Sequence, residues 1–338
     1  VSDPTVRVKP ILHSFVAPMT HSKRFFLATV ATLITLCATQ AAWSADAYPK
    51  EIRIGVQKGD GLVALRMSGN LEKAFAPHHV AVRWIEFVYG APLVEAINSG
   101  DVDVGTVGST PPILAQAGSA PAVVYAAYSP KMQNSYGIIV AKNSSIQTIR
   151  DLQGRKIAFA KGSQGHLFVL RALADAGIDP ASTHFVYLAY SDARAAFERG
   201  DVDAWAVPDP RYADTQLSTG ARTIARIGDI SVPQYGFYIS TRAFASNYPA
   251  ALRLLFDQLD QQAKYSLAHP GQTVELLSKN TGVSRAVWEK ALPRLEWGAT
   301  YPLDSQVIKA QQDAADLAFR NKVIPRAVDV RRAVVDIR

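Results

Sequence analysis

Cysteine is almost missing from this chain. Of 338 residues only Cys37 is one, and it sits in an apolar run near the N-terminus. The body of the protein therefore has no disulfide, no thiol nucleophile and no sulfur ligand for a metal. A chain of this length can bury a core large enough to do without crosslinks. The seven histidines are scattered, and none joins a carboxylate cluster at metal-ligand spacing, so no metal and no cofactor is expected. No glycine-rich loop ends in Gly-Lys-Ser or Gly-Lys-Thr, which removes the common phosphate cradle. Gly162-Ser163-Gln164-Gly165 lacks the register of a hydrolase nucleophile elbow, and no acid–base pair announces an enzyme. Gly59-Asp60-Gly61-Leu62-Val63-Ala64 fits the dinucleotide fingerprint superficially, but Glu86 is farther on than a ribose-binding carboxylate usually lies. The net charge is +7, of which residues 1–44 carry +3. A charge this modest, without basic clusters, argues against nucleic acid as partner.

The longest apolar run, Phe25 to Ala38, is too short to span a bilayer. It follows Met19-Thr20-His21-Ser22-Lys23-Arg24 and leads to small residues, Ala42-Trp43-Ser44 and Ala45-Asp46-Ala47. This is the grammar of a cleavable signal peptide over residues 19–46, which sends the mature chain to the periplasm. Residues 1–18 precede it as a leader and are set aside. Leu36 stands before Cys37 where lipid attachment wants a small residue.

From Glu51 onward strands and helices alternate. Strand patterns lie at Glu51–Val56, Val80–Phe87, Val102–Val107, Val123–Tyr128, Tyr136–Ala141, Lys156–Ala160, His184–Leu188, Val202–Val207 and Tyr235–Ser240. Helical patterns between them include Leu62–Phe75, Pro92–Asn98, Leu167–Ala176 and Ser191–Glu198, the last capped by Ser191. Such alternation predicts α/β architecture with parallel strands under helical cover. Beyond Pro249 the pattern is mostly helical. One stretch echoes another: Ala96-Ile97-Asn98-Ser99-Gly100-Asp101-Val102-Asp103 resembles Ala196-Phe197-Glu198-Arg199-Gly200-Asp201-Val202-Asp203. The spacing is too long for a solenoid and suggests two similarly built lobes.

Ligands of open α/β sheets lie beyond the carboxyl ends of the strands. Four turns qualify: Gln57–Leu62, Gly108–Pro112, Gly162–His166 and Val207–Arg211. In the elbow Lys161–His166, unpaired N–H groups at a helix start suit an anion, though a plain serine N-cap gives the same sequence. Ser109 and Thr110 offer hydroxyls at a second helix start, and Ser163, Gln164 and the Gly165 backbone face them, giving a clamp for a tetrahedral oxyanion. Gln57, Asp60 and Gly61 belong to the first turn. His166 reads either as a helix-start histidine or as a ligand donor. Trp205 reads either as core or as an apolar wall of the pocket. Pro208 and Asp209 follow it, and Tyr128 and Tyr235 flank the lobe crossovers.

At these residues the chain resembles the periplasmic solute-binding proteins of the aliphatic sulfonate, taurine and nitrate group of ABC importers. The marks are Arg53-Ile54-Gly55-Val56-Gln57-Lys58-Gly59, Gly108-Ser109-Thr110-Pro111-Pro112, Phe159-Ala160-Lys161-Gly162-Ser163, Asp192-Ala193-Arg194-Ala195-Ala196-Phe197 and Asp203-Ala204-Trp205-Ala206. The resemblance implies a two-lobed type II periplasmic binding fold, with residues 47–134 plus 235–338 as lobe I and 135–234 as lobe II. It implies a monomer that binds an organic sulfonate and delivers it to an inner-membrane ABC permease, with no catalysis; the alternatives are a binding protein for taurine, nitrate or a thiamine precursor, or an enzyme on the same fold. The group's oxyanion-binding turns map onto Ser109-Thr110 and Ser163–His166. Two departures bear on specificity: Pro208 stands where relatives commonly carry a tryptophan, which should widen the pocket or alter the tail preference, and Asp60 stands where a small residue is usual, where a carboxylate would repel a second negative charge and could attract an amine.

Overall fold

The computed structural model describes residues 48–118 and 123–338. The leader, the signal peptide and Cys37 lie outside the described residues, among which no helix is long and apolar enough to cross a membrane.

Among the described residues ten strands form two five-stranded sheets. The first contains β1 (Glu51–Val56), β2 (Ala81–Glu86), β3 (Val104–Val107), β4 (Val123–Lys131) and β10 (Tyr235–Thr241), in the order β2-β1-β3-β10-β4. The second contains β5 (Tyr136–Val140), β6 (Lys156–Phe159), β7 (His184–Tyr187), β8 (Ala204–Pro208) and β9 (Arg222–Arg226), in the order β7-β6-β8-β5-β9. The expected parallel pairing holds for β1 with β2 and β3, and for β6 with β7 and β8. Each sheet also has one reversed strand: β10 runs antiparallel to β3 and β4, and β5 to β8 and β9. These are the strands that follow a crossing between sheets, so they enter from the opposite end. Every residue of β3 and β5 is buried, as strands covered on both faces require.

Helices α1 (Gly61–Ser68), α2 (Asn70–Phe75), α3 (Gly90–Ser99) and α4 (Thr110–Ala117) flank the first sheet. The single helix expected over Leu62–Phe75 is two, because Gly69 adopts φ 65° and ends the first with a left-handed cap. Around the second sheet lie α5 (Gln164–Asp175), α6 (Tyr190–Arg199) and α7 (Arg211–Thr219). Ser191 is not the cap of α6: the helix begins one residue earlier, behind Ala189. β9 and α8 (Arg242–Asn247) were not legible. The first is Arg-Thr-Ile-Ala-Arg on a sheet edge, and the second is a six-residue helix capped by Thr241. Then come α9 (Pro249–Ala268), α10 (Pro270–Thr281), α11 (Arg285–Ala291) and α12 (Ser305–Arg320). Val63 of α1, Ala213 of α7, Val274 of α10 and Trp288 of α11 share one apolar cluster, so α10 and α11 touch helices of both sheets.

The sequence echo is a structural one. Gly100 (φ 83°) and Gly200 (φ 79°) each end a helix, and the N–H groups of Asp101 and Asp201 bond back to Ala96 O and Ala196 O at 2.9 Å. The following aspartates then pin neighbouring strands. Asp103 accepts from Arg53 N at 2.7 Å, and Asp203 from Lys156 N at 2.8 Å. Each aspartate thus fixes the start of a strand whose far end carries a candidate turn.

Candidate functional site

The four turns meet in one cleft with a volume of about 150 Å³. Gln57, Asp60 and Gly61 line it from the end of β1, Gly108 and Pro111 from β3, Ser163 and Gln164 from β6, and Pro208 and Asp209 from β8. Thus Gln57, Asp60, Gly61, Ser163, Gln164, Pro208 and Asp209 of the expected set are brought together.

Ser163 does not act as a side-chain cap. It occupies the cap position of α5 with extended backbone, yet its hydroxyl makes no capping bond. The residue is 2 % exposed, and Oγ has no partner among the described residues. Beside it the Tyr136 and Tyr190 hydroxyls lie 3.1 Å apart. Burial raises both phenols above their ordinary range, so both stay protonated; one donates to the other and leaves one phenol proton to donate outward. Gly165 does not line the cleft, but its lack of a side chain matters there, since a Cβ would meet Tyr136 Oη at 2.7 Å.

Arg211 was not singled out by sequence reasoning, although it closes the fourth turn. Its guanidinium lies over the Tyr190 ring at 4.8 Å and faces the cleft. Among the described residues it enters no ion pair, whereas Arg294 is bound to Asp209 at 2.7 Å. Lys58 also lines the cleft. An arginine in a turn carries no sequence signal that separates it from a solvated one; only the tyrosine beneath it does, and that lies on another element. Trp297 was missed too. Its indole donates to Gly59 O at 3.2 Å and covers Gly61.

The carboxyl groups of the cleft carry structural bonds, although Asp209 Oδ2 is buried with no partner among the described residues. Asp60 accepts from Gln57 N at 2.7 Å and from Val63 N at 3.2 Å, so it is the N-cap of α1. Burial pushes it up to about 7 against those backbone bonds. Its expected role as a free carboxylate for an amine is not met. Asp209 accepts from Arg294 and from Ala213 N at 3.0 Å, and burial pushes it up to about 7 despite the arginine. Glu296 accepts from Gln133 N and Asn134 N at 2.7 and 3.0 Å. The Gln57 amide donates to Thr106 O at 2.8 Å.

The other expected residues lie elsewhere. The Ser109 N–H donates to Gln164 Oε1 at 2.5 Å, and its hydroxyl lies 3.0 Å from that atom and 2.8 Å from Gln234 Oε1. Ser109 therefore joins the two sides of the cleft and does not present its hydroxyl to the cavity. Thr110 is fully buried behind it, with no partner for its hydroxyl among the described residues. Trp205 is core: it is 0 % exposed, packed on Phe197 and turned away from the cleft. Residues alternate along a strand, so Pro208 reaches the cleft end of β8 while Trp205 and Val207 share the opposite cluster. Tyr128 bonds Asp304 at 2.9 Å and packs edge-on against Tyr235, both outside the cleft. His166 stacks on Phe159 and lines a different groove. In place of Trp205, Val88, Met132, Leu295 and Trp297 supply the apolar walls.

The arrangement can hold an anion without reacting with it: a cation over an aromatic ring, three neutral hydroxyls and a helix N-terminus, next to apolar walls. The NMT1/THI5-like family model matches residues 75–273. A putative aliphatic sulfonates-binding protein of Escherichia coli K12 is 35% identical over 88% of this chain and 93% of its own length. The taurine-binding periplasmic protein of the same organism is 30% identical over 70% of this chain and 72% of its own. The alkanesulfonate-binding protein SsuA from Xanthomonas axonopodis pv. citri, solved bound to MOPS, superposes with a TM-score of 0.79 at 34% identity, covering 85% of this chain and 98% of that one. The family match, these relatives and the shared two-lobed fold make the chain a member of the NMT1/THI5-like family, in its aliphatic sulfonate-binding group.

Proposed function

We propose that this chain is the periplasmic binding component of an ABC importer for organic sulfonates, delivering them to an inner-membrane permease. The observation that carries the reading is the buried Ser163 hydroxyl, which makes no capping bond and sits beside the Tyr136 and Tyr190 phenols, in the same cavity as the Arg211 guanidinium, which enters no ion pair among the described residues. A sulfonate offers three acceptor oxygens to such donors and an apolar tail to Val88, Met132, Leu295 and Trp297. Nitrate has no tail to fill that part of the cleft. Taurine would bring an ammonium group to Asp60, whose two oxygens already accept backbone N–H groups, and to Asp209, whose Oδ2 alone has no partner among the described residues, so titration ranks it against plain alkanesulfonates.

Lobe I is proposed as residues 47–134 with 235–338, and lobe II as 135–234. Binding then works by closure. Gln164 to Ser109 and Asp209 to Arg294 are bonds between the two parts, and a ligand that touches both sides shifts the population toward the closed form. A binding role is supported over catalysis because Asp60 serves as a helix cap and His166 lies outside the cleft.

Calorimetric titration with short and long alkanesulfonates, taurine, nitrate and sulfate tests the reading. An alkanesulfonate should bind tightest, and Arg211→Gln should weaken it by about 1.5–3 kcal/mol, the range for a hydrogen bond to a charged group. Tightest binding of nitrate, or an Arg211→Gln variant with wild-type affinity, would overturn it.

A further inference from the structure

The elbow that lines the cleft has a second face. Ser163 and Gln164 look forward, while Lys161, Gly162 and His166 line a separate groove of about 560 Å³ behind it. Its walls come from both sides of the molecule. Leu114 of α4, with Lys322 and Val323 beyond α12, meet Leu170 of α5 and Phe185 and Tyr187 of β7.

The groove is cationic and has no acidic lining residue. Among the described residues neither Lys161 nor Lys322 enters an ion pair, and Lys161 Nζ hangs 5.6 Å from the Tyr187 ring centroid. His166 is 4 % exposed. The Gly162 N–H donates to its Nδ1 at 3.4 Å, which puts the ring proton on Nε2, and Nε2 has no partner among the described residues. Burial, helped by the charge of Lys161, lowers His166 to about 4, so the ring stays neutral and that single N–H is a fixed donor. Phe159 stacks on the ring at 5.0 Å and holds its orientation. Gly162 is required for this layout. It adopts φ 74°, and a Cβ there would meet Leu114 at 2.8 Å.

We propose that this groove is a second ligand site, taking an organic monoanion with an aromatic or branched apolar body. Lys161, Lys322 and the His166 Nε2–H receive its carboxylate or sulfonate, and Leu114, Leu170 and Phe185 receive the body. Two lysines and one oriented N–H donor line the same groove as its apolar residues, which suits an anionic head group carrying an apolar body.

The test is fluorescence titration of the purified protein with 8-anilinonaphthalene-1-sulfonate, repeated in saturating short alkanesulfonate. The dye carries one sulfonate and two ring systems, which match the cationic and apolar lining of the groove. The expected result is one saturable site, insensitive to the alkanesulfonate and to Arg211→Gln, and weakened at least about tenfold by Lys161→Ala with Lys322→Ala. Both lysines are exposed, so these variants keep the fold. A dye that the alkanesulfonate displaces, or that Arg211→Gln weakens while the lysine variants bind normally, belongs to the front cleft and overturns the proposal. Absence of saturable binding overturns it too, as does displacement by equimolar sulfate. The readout stands whether or not the front cleft binds sulfonates.

Discussion

Gly108 offers a way to obstruct closure without touching a donor. It lies in the turn after β3, and Gln164 starts α5 on the facing side. A Cβ on Gly108 would stand 2.7 Å from Gln164 Cβ, where ordinary carbon contacts begin near ~3.5 Å. A change of rotamer moves the amide but leaves Cβ in place, so relief needs the two turns to part by about 0.8 Å. That parting breaks the bonds from Ser109 N and Oγ to Gln164, now 2.5 and 3.0 Å. Two neutral hydrogen bonds at about 0.5–1.5 kcal/mol each put about 1–3 kcal/mol on the closed state. Ligand affinity of Gly108→Ala should therefore fall about 5- to 150-fold, while the ligand-free melting temperature stays near wild type because each side keeps its own core. Calorimetry with an alkanesulfonate and differential scanning fluorimetry check both halves. Gln164→Gly removes the opposing Cβ, so adding Gly108→Ala to Gln164→Gly should cost little further affinity. Wild-type affinity in Gly108→Ala would refute the reasoning.

Asp60 and Asp209 are raised to about 7 from 3.8. The folded protein keeps protons that the unfolded chain releases, so these groups support stability at low pH and withdraw that support as pH rises between about 4 and 7. The melting temperature should drop across that window, and Asp60→Asn, which still caps α1, should flatten the drop; an unchanged profile would sink the argument. Trp205→Phe should lower the melting temperature through the space left in the core and leave sulfonate affinity unchanged in calorimetry. A matching loss of affinity would return the indole to the pocket wall.

The strands, the longer helices and the four turns were legible because each rests on local information: apolar spacing, a glycine stop, a strand's carboxyl end. What was not legible is direction. Ser163 and His166 are three residues apart on one elbow and face different cavities. Ser109 carries the right hydroxyl, yet Gln164 and Gln234 occupy it. Arg211 and Tyr190 belong to different helices, and Asp209 meets Arg294 only after the C-terminal helices have packed. The resemblance supplied the ligand class but could not decide these orientations, which depend on partners far away in the chain.

The place of β10 bears on how the molecule assembles. Phe237 pairs with Val107 on one side and Tyr128 on the other, and all strands of the second sheet lie between Tyr128 and Phe237 in the chain. The second sheet can pair as soon as its own strands exist. The first remains two fragments, β2-β1-β3 and β4, until a strand from the far end of a long excursion slides between them. Closing so large a loop costs entropy that the local pairings do not, and the cleft, lined by Gly236 and Tyr238 of β10, is complete only once that strand is in place.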